Sequence, residues 1–142
     1  MAMNRQLLVV EDNPDDEALT LRALNKSGNG IDVTVARDGA EALSMLLPAD
    51  GADAGRLQPR LILLDLKLPR LDGLELLQRL RLEPRTRNLT IVVFTSSDEL
   101  SDVETCQALG ANSYVRKPLD YQEYSDTVRR ICEYWLSLNL AP

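Results

Sequence analysis

Five short apolar runs alternate along the chain with five stretches of helical periodicity, and this alternation most restricts the fold. The runs are Gln6–Val10, Ile31–Ala36, Arg60–Asp65, Leu89–Thr95 and Ser113–Arg116. Leu61-Ile62-Leu63-Leu64 and Ile91-Val92-Val93-Phe94 are apolar without interruption. That pattern suits central strands of a parallel sheet whose two faces are both covered. Crossovers between parallel strands are right-handed, so the alternation predicts a doubly wound α/β sandwich.

The helical stretches carry start signals. Asn13-Pro14 offers an N-cap followed by proline at the first helical position, and Asp15 and Asp16 follow as acids at the positive end of the helix dipole. Asp38, Asp72 and Ser101 each stand three residues before a glutamate, the spacing of a capping box. The fourth helix places Val103, Cys106 and Leu109 on one face and is expected to stop at Gly110. The last helix spaces Tyr124, Val128, Ile131, Trp135 and Leu138 helically, and Cys132, Leu136 and Leu140 widen that stripe. Residues 48–59 read as an exposed, mobile loop rich in Ala, Gly and Asp. A single domain over residues 1–142, with its core at about 5–138, leaves no residues for an attached output domain.

Composition narrows the function. A net charge of −6 argues against a nucleic-acid or anionic-membrane binder. No apolar run approaches the roughly 20 residues of a membrane span, and no signal peptide opens the chain. Cys106 and Cys132 lack C-x-x-C spacing and read as reduced thiols of a cytoplasmic protein. With no histidine, Ser-His and Cys-His catalysis are excluded, as is a histidine phosphocarrier role for this chain.

In such a sheet, ligands bind outside the carboxyl ends of the strands. Those ends are Glu11-Asp12, Asp65, Thr95-Ser96 and Lys117-Pro118. Three carboxylates, a hydroxyl and an ammonium thus converge on one edge. Clustered carboxylates suit a hard divalent cation, and magnesium takes a few of them beside waters and a phosphate oxygen. A lysine and a hydroxyl nearby would neutralise a phosphoryl group, and one carboxylate could attack phosphorus to give an acyl phosphate. Taken singly, each residue is ordinary: strand-end acids are commonly caps or solvated, and Lys-Pro is commonly a turn. The combination is what carries weight.

The segments "VVEDN", "LILLDLKLPRLDGLELL", "VVFTSSD" and "GANSYVRKP" resemble the landmarks of response-regulator receiver domains, with matching spacing over essentially the whole chain. The resemblance implies a flavodoxin-like (βα)5 fold with strand order 2-1-3-4-5. It implies that Asp65 is the phosphoacceptor and that Asp12, Glu11, Asp65 and the backbone carbonyl of Lys67 surround Mg2+ or Mn2+. Thr95 matches the switch hydroxyl, Lys117 the phosphoryl-pairing lysine, and Tyr114 the aromatic switch position. Lys117–Pro118 is expected as a cis peptide. Pro69 and Gly73 match the loop after the phosphoacceptor. Leu68 stands where the family often has Met, and Ser96 where it often has Ala. Lys67 and Ser97 occupy positions that tune phosphoryl lifetime in the family.

The resemblance further implies a phosphorelay regulator. Asp65 would take a phosphoryl group from a phosphohistidine of a sensor histidine kinase, and the chain would catalyse only its own phosphorylation and dephosphorylation. "VEDNPDD" and "EYWLSLNLAP" look like small receivers paired with bacterial phytochrome kinases, a subfamily that forms homodimers through the face of the fourth helix, fifth strand and fifth helix. The wide apolar stripe of the last helix agrees with a dimer; alternatively Trp135 and Leu138 cap this chain's own core. A phosphate sink or shuttle is the alternative output. Aspartate-nucleophile phosphatases want a second Asp where Lys67 stands. Flavin binders of similar architecture want a hydroxyl- and glycine-rich loop where Glu11-Asp12-Asn13-Pro14 stands.

Overall fold

A computed structural model describes residues 4–27, 30–49 and 55–140. The strands are β1 (Gln6–Val10), β2 (Asp32–Ala36), β3 (Leu61–Leu64), β4 (Ile91–Thr95) and β5 (Ser113–Arg116). The helices are α1 (Pro14–Ser27), α2 (Gly39–Leu46), α3 (Gly73–Leu82), α4 (Leu100–Ala108) and α5 (Tyr121–Glu133), and α5 runs on into a π-helical turn, Tyr134–Leu138. All strand pairs are parallel, in the order β2-β1-β3-β4-β5. This is the flavodoxin-like arrangement expected of a receiver. Three strands are slightly shorter than their apolar runs. The ladder nevertheless reaches past β3 at both ends, with Arg60 N–H donating to Gln6 O and Asp65 N–H to Val10 O.

The uninterrupted apolar strands are explained by two cores, one on each face of the sheet. Successive strand residues point to opposite faces. Leu8, Val10, Ile62, Leu64, Ile91 and Val93 pack under α2, α3 and α4 with Leu46, Leu76, Leu77, Leu80 and Cys106. Leu7, Val9, Leu61, Leu63, Val92 and Phe94 pack under α1 and α5 with Leu24, Tyr124, Val128, Ile131 and Leu136. Complete burial of a large aliphatic side chain contributes about 1.5–3 kcal/mol, so both faces drive the same register. Both cysteines are free and buried, and burial pushes the Cys132 thiol up to about 12.

Most start signals act as expected. Asn13 Oδ1 accepts from the N–H groups of Asp15 and Asp16, at 2.9 and 3.2 Å. Asp38 and Asp72 accept from Glu41 N and Glu75 N, at 2.7 and 2.9 Å. Ser101 does not cap α4. The helix begins at Leu100, because the Glu99 carbonyl already closes the first turn by accepting from Asp102 N and Val103 N. Gly110, at φ 94°, ends it as expected.

The stripe of the last helix is narrower than its sequence suggests. In the π-helical turn Asn139 N–H reaches Tyr134 O, and the extra residue rotates the positions beyond it. Leu136 stays fully buried, while Leu138 and Leu140 are 66% and 94% exposed. Trp135 packs at the rim of the α1/α5 core and meets Tyr134 edge-on, centroids 4.9 Å apart. Residues 50–54 of the expected 48–59 loop lie outside the described residues. On its C-terminal flank, Leu57 packs on the core and its N–H donates to Met45 O. No helix among the described residues is long and apolar enough to cross a membrane.

Candidate functional site

The sheet register assembles the site. Val10 is level with Leu64, Leu64 with Val93, and Thr95 with Arg116. Glu11, Asp65 and Lys117 are each the next residue after their strand, and Thr95 is the last of its own. Two carboxylates, a hydroxyl and an ammonium from four neighbouring strands therefore emerge within a residue or two of the same height.

They touch. Thr95 Oγ1 donates to Asp65 Oδ1 at 2.8 Å. Lys117 Nζ donates to Asp65 Oδ2 at 3.1 Å, to Glu11 Oε1 at 2.5 Å and to Asp16 Oδ2 at 2.8 Å. The ammonium's three protons thus meet three carboxylates. Glu11, Asp65, Thr95 and Lys117 are 4%, 8%, 0% and 7% exposed, so the charges sit where solvent screens them weakly. Asp12 is exposed beside them. Glu11 is aimed by its other oxygen, which accepts from Asn13 N–H at 3.1 Å.

Burial pushes the Glu11 carboxyl up to about 7; the Asp65 charge adds to that and the Lys117 hydrogen bond opposes it. Burial pulls the Lys117 ammonium the other way, but its bonds and charges with Asp16, Asp65 and Glu11 outweigh this and hold its pKa above the ordinary lysine value. Lys117 therefore stays charged. The acids around it still outnumber it, which leaves a local deficit of positive charge.

The residues fit a divalent cation. Glu11, Asp12 and Asp65 each offer a carboxylate oxygen, all within 4.8 Å of one another. An all-oxygen donor set from a few carboxylates is what a hard cation takes. Lys67, whose carbonyl is the expected further ligand, lies two residues beyond Asp65 on the β3–α3 loop.

That loop is pinned to Asp65. Gly73 N–H donates to Leu66 O at 2.9 Å. A Cβ on Gly73 would stand 2.4 Å from Asp65 O and 2.6 Å from Leu66 Cα, so only glycine allows this approach. Leu71 N–H turns back to Pro69 O, and Arg70 between them holds φ 68°. Tyr114 is half-buried on the α3/α4 side, and its hydroxyl donates to Ser97 O at 2.8 Å. The β4–α4 loop is held again where Ser97 Oγ donates to Asp102 Oδ2 at 2.6 Å.

Two sequence expectations change. The Lys117–Pro118 bond is trans, not cis. Trans is the favoured isomer by about 0.5–1 kcal/mol for an X–Pro bond, and with it Nζ already reaches all three acids. The Lys117 backbone N–H is also engaged, donating to Thr95 O at 2.7 Å. The second change concerns Asp16, expected as a helix-dipole acid and found in the site. No spacing in the sequence marks it: the contact arises only when β5 delivers Lys117 beside the first turn of α1.

The chain matches the family model "Response regulator receiver domain" over residues 7–129. It is 38% identical over 136 residues to the probable methanogenesis regulatory protein FilR2 of Methanothrix harundinacea, covering 96% of this chain and 86% of that one. It is 32% identical to response regulator Rcp1 of Synechocystis, covering 96% and 92%. The Mn(2+)-bound form of Rcp1 superposes with a TM-score of 0.88 at 30% identity, covering 97% and 99%. The phosphorylated cyanobacterial phytochrome response regulator RcpA gives 0.90 at 33% identity, covering 99% of each chain.

The close packing around Gly73 yields a prediction. Gly73→Ala should lower the unfolding free energy by about 1–3 kcal/mol, the usual range for overpacking, as read by urea denaturation. A change of a few tenths would mean that the β3–α3 loop does not lean on Asp65.

Proposed function

The chain belongs to the response-regulator receiver family, and from that premise we propose that Asp65 is its phosphoacceptor, served by Lys117, Thr95 and a Mg2+ site at Glu11 and Asp12. The observation that carries the reading is the paired hold on Asp65. One oxygen receives the Thr95 hydroxyl and the other the Lys117 ammonium, so the carboxylate is oriented by the two donors a phosphoryl group would need.

The donor is a phosphohistidine on a sensor histidine kinase. An Asp65 oxygen attacks phosphorus in line, the O–P bond forms as the P–N bond breaks, and the electron pair returns to the imidazole nitrogen. Lys117 and Thr95 then each turn a donor from Asp65 to a phosphoryl oxygen, offsetting charge where it develops. Bound Mg2+, held by Glu11, Asp12, Asp65 and the Lys67 carbonyl, would neutralise phosphoryl oxygens. Water attack on the acyl phosphate reverses the modification, and the chain has no other enzymatic role. A phytochrome-type kinase is favoured as partner because the phytochrome response regulator RcpA is similar over nearly its whole length.

The signal leaves through Thr95 and Tyr114. When Thr95 engages a phosphoryl oxygen, the balance between arrangements of Tyr114 and the Ser97 loop shifts. Those residues border the face made by α4, β5 and α5. A homodimer through that face is supported by β5 lying at the sheet's edge and by a groove beside it lined by Val115, Ile131, Tyr134, Trp135 and Leu138. A free strand edge beside exposed apolar side chains invites a partner.

Incubation with acetyl phosphate and Mg2+ should add one phosphoryl group by intact mass, absent from Asp65→Asn; a wild-type chain that never gains it contradicts the reading. For the dimer, Leu138→Asp should halve the mass measured by light scattering. An unchanged mass takes Leu138, and with it the groove, out of the interface.

A further inference from the structure

We propose that Asp16 is a positioning residue for phosphoryl transfer: it holds the Lys117 ammonium in place while the other two acceptors of that ammonium are drawn into the chemistry. The inference rests on Asp65 being the phosphoacceptor. Of the three carboxylates on Lys117 Nζ, Glu11 and Asp65 also belong to the cation-binding cluster, and Asp65 is the nucleophile. Asp16 Oδ2, at 2.8 Å, belongs to neither. Once Glu11 turns to a cation and Asp65 to phosphorus, Asp16 is the acceptor left to fix the ammonium's direction.

Asp16 is itself held. Its backbone carbonyl accepts from the buried Tyr124 hydroxyl of α5 at 3.3 Å, and that hydroxyl is 3.0 Å from Thr20 Oγ1 on the next turn of α1. The Tyr124 ring leans on Phe94 of β4, centroids 5.2 Å apart. The first turn of α1 is thus tied to the same strand that carries Thr95. A surface acid serving only the helix dipole needs none of this and would affect stability alone.

At Asp65 the O–P bond forms as the bond to the donor breaks with its electron pair, and one Lys117 hydrogen bond shifts from Asp65 to a phosphoryl oxygen. The Asp16 hydrogen bond persists throughout. Losing it leaves the long lysine stem free to rotate, which lowers the fraction of encounters with the ammonium in place.

The test uses the full chain with acetyl phosphate and Mg2+. Asp16→Ala should lower the saturating rate of phosphorylation roughly tenfold, the order of one charge-assisted hydrogen bond, with little change in the concentration giving half the maximal rate. Asp16→Glu should recover most of the loss, and in a Lys117→Gln background Asp16→Ala should cost nothing further. A second readout needs no phosphoryl donor: the Lys117 ammonium resonance, sheltered from water exchange in the wild type, should broaden in Asp16→Ala. Equal losses in both backgrounds, an unchanged rate, or a resonance that stays sharp would each overturn the inference. A wild-type chain that gains no phosphoryl group would instead bring down the proposed function, and the resonance would still report on the Asp16 contact.

Discussion

One buried ammonium amid a surplus of carboxylates governs this molecule. Lys117 bonds to Glu11, Asp16 and Asp65, and Asp12 adds a further acid at the rim. Desolvated charges of one sign are unfavourable unless partnered, and one lysine cannot partner four acids. The arrangement is therefore ready for added positive charge. The same lysine orients Asp65, so electrostatic support and positioning come from one side chain.

The rest of the fold places that lysine and its acids. A parallel sheet puts every strand's carboxyl end on one edge, and in-register pairing sets those ends at one height. Two apolar cores, one per face, fix the register, because a slip of one residue would exchange the faces. Helices α1 and α5 then bring in what the strands cannot: Asp16 from the first turn of α1, held by Tyr124 from α5. The stability of the core and the geometry of the site are the same fact seen at two ends of the strands.

Much of this was legible in the sequence because it depends on short-range pattern. The strands, the caps at Asp38 and Asp72, and the convergence of Glu11, Asp12, Asp65, Thr95 and Lys117 follow from periodicity and from where parallel strands end. Three features depend on contacts made only in the folded chain. Asp16 reads as a helix-dipole acid until β5 delivers Lys117 beside it. Leu138 and Leu140 read as part of the last helix's stripe until a π-helical turn rotates them outward. Lys117–Pro118 reads as cis by resemblance, whereas the folded chain holds it trans with Lys117 Nζ on its three acids.

The acid surplus at this edge has the donor set of a divalent-cation site. Titration with Mn2+, followed by its electron paramagnetic resonance signal, tests it directly. One saturable site per chain is expected, weakened roughly tenfold or more in Asp12→Asn because the site's affinity follows the charge of its ligands. Absence of saturable binding, or binding that Asp12→Asn leaves unchanged, would contradict it.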